Sequence, residues 1–300
     1  MKDKLFCSIG VLAYNEASNI SNLLQSLLNQ KLDLVEIKEI IVVSSASTDG
    51  TDDIVREFCK KNKKIKLITE PERRGKSAAI NKFLAASNSD ILLIESGDTI
   101  PAPDTVEKMV LPYFDNNVGM TGGRPVPENP ETDFVGYCVN LLWRLHDRMA
   151  RRSPKLGEMV SFRKIFSSIP EKSAVDEASI EAIIRDAGLK LKYIPEAVIH
   201  NKGPENMKDF IKQRRRIASG HIWLQETEDY SVASQNKSIL LKISWAEIIS
   251  RPAKIFHFIA AVLLENYCRF LGWYDLKIKR KNPFKWEIAE STKKLEHKEK

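Results

Sequence analysis

The sequence predicts an α/β protein built on a doubly wound, mostly parallel sheet with helices on both faces. Short apolar runs typical of buried strands alternate with segments of helical periodicity in the first hundred residues. A plausible capping residue also precedes each helical segment. Ligands of such sheets bind beyond the carboxyl ends of the strands. We therefore expect the functional residues directly after each apolar run.

The elements are predicted in the following order. The apolar runs of the first half predict strands at 5–13, 39–44, 66–69 and 90–95. Helical spacing predicts helices between them at 19–28, 51–61 and 76–87. The second half predicts a helix at 134–152, a strand at 158–164, a helix at 177–187, a strand at 191–199, a basic helix at 206–228 and an apolar helix at 253–274. We expect an α/β domain over 1–228, a helical segment over 229–275 and a basic charged tail over 276–300.

Composition excludes several classes of protein. The chain has 300 residues, of which 43% are hydrophobic and 29% charged, so it is neither disordered nor collagen-like. Its four cysteines form no CxxC pair, and the first 30 residues lack the pattern of a secretion signal, so a reducing cytosol is expected. The net charge of +7 suits a polyanion, an anionic lipid surface or a phosphorylated substrate.

The loops after the first two strands have the chemistry of a nucleoside site. Tyr14 can stack on a base, and Glu16 can bind ribose hydroxyls. After the second strand, Ser45 and Asp49 offer oxygen atoms to a base edge. The alternative is an ordinary loop, in which Thr48 or Asp49 caps the next helix.

Charged residues at the next two strand ends are candidates for a diphosphate and its metal. Lys76 opens a helix, although Glu70 stands where a GxxxxGK[ST] phosphate loop requires glycine, so that loop is not expected. Asp98 is the candidate ligand for Mg²⁺ or Mn²⁺, with Glu95 a weaker one. The alternatives are a solvated lysine and a turn-forming carboxylate.

Two further motifs lie in the second half. Asp176 and Glu177 open a helix, where acids favour the helix dipole and where a general base is also possible. Gln213 and Arg216 share one face of the basic helix and can bind a phosphate or a sugar. The arginine run 214–216 also suits a nucleic-acid or membrane patch.

Taken in order, these segments resemble the family 2 glycosyltransferases over roughly residues 5–225. The resemblance is closest to the membrane-associated branch of cellulose and hyaluronan synthase-like enzymes, whose acidic pair and QxxRW motif are similar to the pair at 176–177 and to QRRRI at 213–217. It implies a GT-A fold, a divalent Mg²⁺ or Mn²⁺ and a nucleotide-sugar donor. It also implies inverting transfer to an acceptor hydroxyl, which we expect on a lipid or lipid-linked saccharide.

The resemblance also implies roles for single residues. It assigns the nucleoside and donor to Tyr14, Glu16, Ser45, Asp49, Lys76 and Asn81, with Arg124, placed after the next strand, lining the cleft. It assigns the metal to Asp98, the base to Glu177 or Asp176, and closure over diphosphate and acceptor to Gln213 and Arg216. This chain departs from the family at Ser44 and Ser45, at Ser96 and at Ile217, where the family has aspartates or tryptophan.

The apolar segment 255–274 suggests attachment to the cytoplasmic face of a membrane. It is nearly long enough to span a bilayer, but Glu265 and Arg269 interrupt it and are spaced to pair on one helix face. We expect an interfacial helix on an anionic surface, with a buried core helix or a single span as alternatives. The rival functions are a catalytically silent, transferase-like scaffold and a nucleic-acid or membrane-surface binding protein; no nucleic acid partner is expected. A nucleotidyltransferase is disfavoured because 12–19 lacks a glycine-rich basic loop.

Overall fold

The computed structural model describes residues 4–171, 176–227, 237–280 and 290–292 of the chain. Eight strands form one sheet: β1 (Leu5–Ala13), β2 (Val35–Ser45), β3 (Ile65–Glu70), β4 (Ile91–Ser96), β5 (Thr99–Pro101), β6 (Val118–Pro127), β7 (Val160–Arg163) and β8 (Lys190–Asn201). Nine α-helices lie in these ranges: α1 (Ile20–Leu28), α2 (Thr51–Lys61), α3 (Lys76–Ala86), α4 (Thr105–Val110), α5 (Phe134–Ala150), α6 (Asp176–Asp186), α7 (Met207–Thr227), α8 (Lys237–Ser250) and α9 (Ile255–Lys277).

The sheet is mixed but mostly parallel, with strand order β3-β2-β1-β4-β7-β6-β8-β5. Strands β1 to β4 pair in parallel, as do β6 and β8, whereas β7 and β5 pair antiparallel with their neighbours. The carboxyl ends of β1, β2 and β4 therefore lie side by side. Each apolar run of the first half forms a strand as predicted, and both sheet faces are covered.

Apolar packing covers the two faces of the sheet separately. Leucines of α1 and residues of α2 and α4 pack on one face, and α3, α6 and the end of α5 pack on the other. Helix α3 approaches β1 so closely that a Cβ on Gly10 would lie 2.6 Å from the Phe83 ring. A third apolar cluster joins α5, α7 and α9 beside the sheet.

Strand β5 was not predicted, and the strand expected before Arg124 was given no bounds, so that residue was misplaced. The sequence analysis puts Arg124 after a strand, but it lies inside β6, where it pairs with Val198 of β8. The segment VGMTGGRPVP carries three glycines and two prolines, which normally interrupt strands. Tertiary packing overrides that tendency, because side chains at Gly119, Gly122 and Gly123 would each overlap a neighbour. Strand β5 has only three residues, too few to show a period.

Candidate active site

The loops after β1 and β2 are tied to each other by hydrogen bonds. The carboxylate of Asp49 accepts bonds from the backbone N–H of Ala17 and from both the N–H and the hydroxyl of Thr51. These bonds outweigh burial and hold the pKa of Asp49 below its ordinary value. Asn15 and Ala46 both have positive φ, at 53° and 56°. Asp49 thus links the two loops and binds the start of α2. Capping of this helix is the alternative role that the sequence analysis gave to Asp49.

The nucleoside candidates lie at this edge in different environments. Tyr14 is half-buried, and the Arg73 guanidinium lies 4.1 Å from the centre of its ring. Glu16 is buried beneath the turn after β4, where a Cβ on Gly97 would lie 2.6 Å from its Cγ. Ser45 donates its hydroxyl to Glu70 at 2.6 Å. Ser44 and Ser45 of β2 replace acidic residues of the family pattern. A buried carboxyl group is nevertheless present on the neighbouring strand β3, at Glu70, which the sequence analysis did not select as a site residue.

Lys76 and the acidic pair meet between α3 and α6. Lys76 Nζ lies 2.5 Å from Glu177 Oε1, and the Ser77 hydroxyl donates to Asp176. Burial and the charge of Glu177 raise the pKa of Asp176. Burial also acts to raise the pKa of Glu177, but Lys76 overcomes it with its charge and hydrogen bond and, with Arg216, lowers that pKa. Asp176 is 5% exposed, whereas the Glu177 side chain keeps 20% exposure, so Glu177 is the more accessible member of the pair.

More negative than positive charges gather around this pair. Among the described residues, the carboxylates of Glu95, Asp98, Glu158, Asp176 and Glu177 and the cations Lys76 and Arg216 act electrostatically on one another. Burial raises the pKa of Glu95 to about 8, and Glu158 and Asp98 act in the same direction. Burial and the charge of Asp98 raise the pKa of Glu158 to about 7. The excess of carboxylates over cations leaves the site short of positive charge.

The three arginines of α7 have separate roles. Arg214 binds Glu265 of α9 through two bonds of 2.8 and 2.7 Å, and Arg215 pairs with Asp275 of α9. Arg216 lies within electrostatic reach of Asp98 and Glu177. Arg214 and Arg215 therefore bind α9, whereas Arg216 lies near the acidic pair.

Three other residues were predicted to belong to the site, namely Asn81, Arg124 and Gln213. They lie at different places relative to the charged groups around Lys76 and Glu177. Asn81 exchanges two hydrogen bonds with the backbone of Ile169 and so holds the segment that leads to α6. Arg124 lies 3.9 Å from Asp147 of α5 and acts electrostatically on Tyr193 of β8. Gln213 is half-buried on α7, one turn from Arg216. Asn81 and Arg124 thus contact Ile169 and Asp147, which are not members of the charged cluster.

The chain matches one family of known proteins over more than half of its length. The sequence model described as Glycosyl transferase family 2 matches residues 8–178. The chain belongs to glycosyltransferase family 2. This membership agrees with the resemblance drawn from the motifs. The match also covers the loops after β1 and β2, Lys76, Asp98 and the acidic pair.

Family 2 relatives extend beyond this chain. The chain is 26% identical to a probable glycosyltransferase, YdaM, of Bacillus subtilis over 240 residues, which are 75% of this chain and 57% of YdaM. It is 24% identical to the poly-beta-1,6-N-acetyl-D-glucosamine synthase of Staphylococcus aureus over 250 residues, or 79% of this chain and 60% of the synthase. The chain thus spans less than two thirds of the length of these relatives.

The family 2 fold is also found in solved structures. A mannosyltransferase of Pyrobaculum calidifontis, PcManGT, in complex with GDP-Man and Mn²⁺, superposes with a TM-score of 0.69 at 21% identity. The match covers 93% of this chain and 89% of that one. It confirms the GT-A fold expected from the sequence.

The residues of this family 2 chain fit a divalent cation shared with a substrate. In the part of the chain that the structure describes, no three His, Cys, Asp or Glu side chains form a complete metal site. Mg²⁺ and Mn²⁺ are commonly held by one or two carboxylates together with substrate phosphates, so such a site is not required. Asp98 stands at the strand edge among surplus carboxylates, and Glu95 Oε2 is buried with no hydrogen-bond partner among the described residues. A cation here would balance that charge.

Proposed function

We propose that the chain is an inverting glycosyltransferase that moves a sugar from a UDP- or GDP-sugar to an acceptor hydroxyl. The observation that carries the proposal is the contact of Lys76 with Glu177 at the carboxyl edge of the sheet, with Arg216 and Asp98 beside them. This arrangement offers a base, two cations for a diphosphate and a carboxylate for a metal. Family membership and the GDP-Man complex of PcManGT support it.

The reaction is a single displacement. The acceptor oxygen forms a bond to the anomeric carbon as the bond from that carbon to the β-phosphate oxygen breaks. The hydroxyl proton passes to the Glu177 carboxylate, and the nucleoside diphosphate leaves with the bonding electron pair. Lys76 and Arg216 stabilise the negative charge that develops on the leaving group. A Mg²⁺ or Mn²⁺ ion held by Asp98 would supply further positive charge to the same diphosphate.

Donor binding would prepare the base in this scheme. In the structure, Lys76 is bound to Glu177, which lowers the pKa of Glu177 and makes it a weak base. A diphosphate would compete with Glu177 for Lys76, because the phosphate and the carboxylate are both anions that bind the ammonium group at the start of α3. When Lys76 turns to the diphosphate, the pKa of Glu177 rises. The base then gains strength only when a donor is bound.

A membrane surface is the site of action that we propose, with a lipid or lipid-linked saccharide as acceptor. Large apolar side chains of α8 and α9 are exposed, among them Leu241 (72%), Trp245 (65%), Ile249 (63%), Phe256 (81%), Leu263 (66%) and Phe270 (57%). Helix residues Pro252–Lys277 are long and apolar enough to cross a membrane, yet only 17% of the apolar window is buried, which disfavours a core helix. The opposite face of α9 is docked on α7 through Glu265 and Asp275, which favours an interfacial position over a span.

The donor is tested first by thermal stabilisation. Purified protein is melted with UDP, GDP and dTDP sugars, with and without Mn²⁺ or Mg²⁺, because a ligand that binds only the native state raises the melting temperature. We expect one nucleotide to stabilise the protein and the metal to increase the effect. No shift with any nucleotide for a folded sample would contradict the proposal and favour a silent scaffold.

The base is tested by two matched substitutions. We expect Glu177→Gln to lower kcat by roughly 10²–10⁴-fold, the range of general-base catalysis, with the donor still bound. Asp176→Asn removes a buried carboxylate that is bonded to Ser77, so it should affect turnover less. A larger loss of kcat from Asp176→Asn than from Glu177→Gln, at equal melting temperatures, would transfer the role of base to Asp176.

A further inference from the structure

Glu158 lies at the centre of the site although no motif includes it. It is half-buried, stands two residues before β7 and has a φ of 59°. Residues other than glycine rarely adopt this left-handed backbone conformation. It persists mainly where the surrounding structure enforces it. Here the conformation keeps the Glu158 carboxylate within electrostatic reach of Asp98 and Glu177.

The edge of the sheet brings Glu158 and Asp98 to the same place. Asn201, at the end of β8, pairs with Thr99 of β5, the residue that follows Asp98. The Asn201 side chain also donates a hydrogen bond to Glu158. One residue of β8 therefore fixes the turn that carries Asp98 and orients the carboxylate of Glu158.

A second observation indicates that a cation belongs between these groups. Glu95 is 1% exposed, and its Oε2 atom has no hydrogen-bond partner within the described ranges. Both Asp98 and Glu158 act electrostatically on Glu95, so the three carboxyl groups lie near one another. At the same edge Ser96 contributes a hydroxyl rather than a second carboxylate.

We propose that Glu158 is the second carboxylate ligand of the divalent cation, acting with Asp98 in place of a carboxylate at position 96. The inference rests on the proposed function, because the cation is the one that would bind the donor diphosphate. Asn201 is then a positioning residue that orients Glu158. Two carboxylates and two phosphate oxygens form an oxygen ligand set suited to Mn²⁺ or Mg²⁺.

The test measures Mn²⁺ binding directly, without turnover. Free Mn²⁺ is followed by electron paramagnetic resonance as it is titrated into the full chain with saturating UDP or GDP. We expect Glu158→Gln to raise the Kd for Mn²⁺ at least about ten-fold, as the loss of a ligand or its support does elsewhere. Adding Ser96→Asp to that variant should restore the Kd to within about three-fold of the wild-type value. The control, Glu36→Gln, changes an exposed glutamate bound to Lys38 and should leave the Kd unaltered.

Folding is monitored in the same samples. Without metal, Glu158→Gln should melt at the same temperature as the wild type or higher, because it removes one of several crowded like charges. A weaker Mn²⁺ affinity therefore cannot be ascribed to unfolding. Should Glu158→Gln keep a Kd within two-fold of wild type while the wild type binds Mn²⁺ and nucleotide, this inference alone is wrong. Should the wild type bind neither, the proposed function and this inference are both wrong.

Discussion

Glu95 is a buried carboxyl group at the end of β4 with one hydrogen bond from the Thr99 hydroxyl. Burial and two neighbouring carboxylates disfavour its charge, and its pKa lies near 8. A carboxyl group with a raised pKa in the fold binds its proton more tightly there than in the unfolded chain. Its ionisation therefore destabilises the fold progressively as the pH rises from about 4.5 towards 8.

We predict that Glu95→Gln removes most of this pH dependence. In metal-free buffer with EDTA, the wild type should lose roughly 2–4 kcal/mol of unfolding free energy between pH 5 and pH 8, on the basis of about 1.4 kcal/mol for each unit of pKa shift. The variant should lose less and should be the more stable protein at pH 8. Urea denaturation at four pH values measures both. Parallel curves for the two proteins would show that Glu95 is ionised in the fold at neutral pH.

Single residues of the site were predictable where the chain offers a local pattern. Lys76 and Glu177 lie in the first turns of predicted helices. Such positions are expected at the edge of the sheet where ligands bind, so the two residues could be chosen from the sequence. Glu158 has no such signal, because it opens a segment, EMVSFRK, that fits a strand and contains no recognised motif. Its place beside Asp98 depends on Asn201, which is distant in sequence.

At the scale of elements, α9 is held against α7 by close backbone contact as well as by ion pairs. A Cβ on Gly272 would lie 2.6 Å from the backbone oxygen of Arg215, and the Ser219 hydroxyl donates to the oxygen of Gly272 at 2.9 Å. Arg269 also binds Glu265 at 2.9 Å, the pair expected from their spacing in sequence. Gly272 thus sets the distance between the two helices.

We predict that Gly272→Ala loosens α9 by forcing the helices apart, at a cost of about 1–3 kcal/mol. Thermal melting measures the loss, and limited proteolysis should cleave near α9 sooner than in the wild type. Gly157→Ala is the control, because a Cβ at Gly157 meets nothing within 4 Å. Equal melting temperatures for the two variants would mean that α9 shifts freely on α7.

Elements with a clear period were predicted, and those set by tertiary contact were not. The first four strands and their helices follow directly from apolar periodicity. The extent of strand β6 was not predicted because its glycines are needed for close packing, and that need is not visible in the sequence. The boundary at 228–229 stays a prediction, as do the segments of the tail outside the described residues, including Lys281 and Lys285.

At the scale of the whole molecule, apolar exposure is concentrated on α8 and α9. Leu241, Trp245 and Ile249 recur every four residues and form one exposed face of α8. Lys254 and Lys277 stand at the two ends of the α9 segment. An aromatic face bordered by lysines is typical of a surface that binds anionic lipid.

We predict that the protein co-sediments with vesicles containing anionic lipid and binds neutral vesicles less, with weaker binding at high salt. The double variant Trp245→Ala and Phe256→Ala should reduce binding by about ten-fold or more, since each buried aromatic side chain contributes about 1.5–3 kcal/mol. Phe6→Ala removes an exposed phenylalanine elsewhere and is the control. Equal partition of all three proteins would contradict the membrane-surface assignment.

The pairing of β5 with β8 has a consequence for the order of folding. Strands β1 to β4 pair with one another within the first hundred residues, whereas Thr99 meets Asn201 only after about a hundred residues of chain have closed into a loop. Contacts between distant residues generally form later than local ones. We therefore expect the loops after β1 and β2 to form before Glu158 is brought to Asp98 during refolding. Under the proposed function, this order predicts a stage of refolding that binds a nucleoside before it binds the metal.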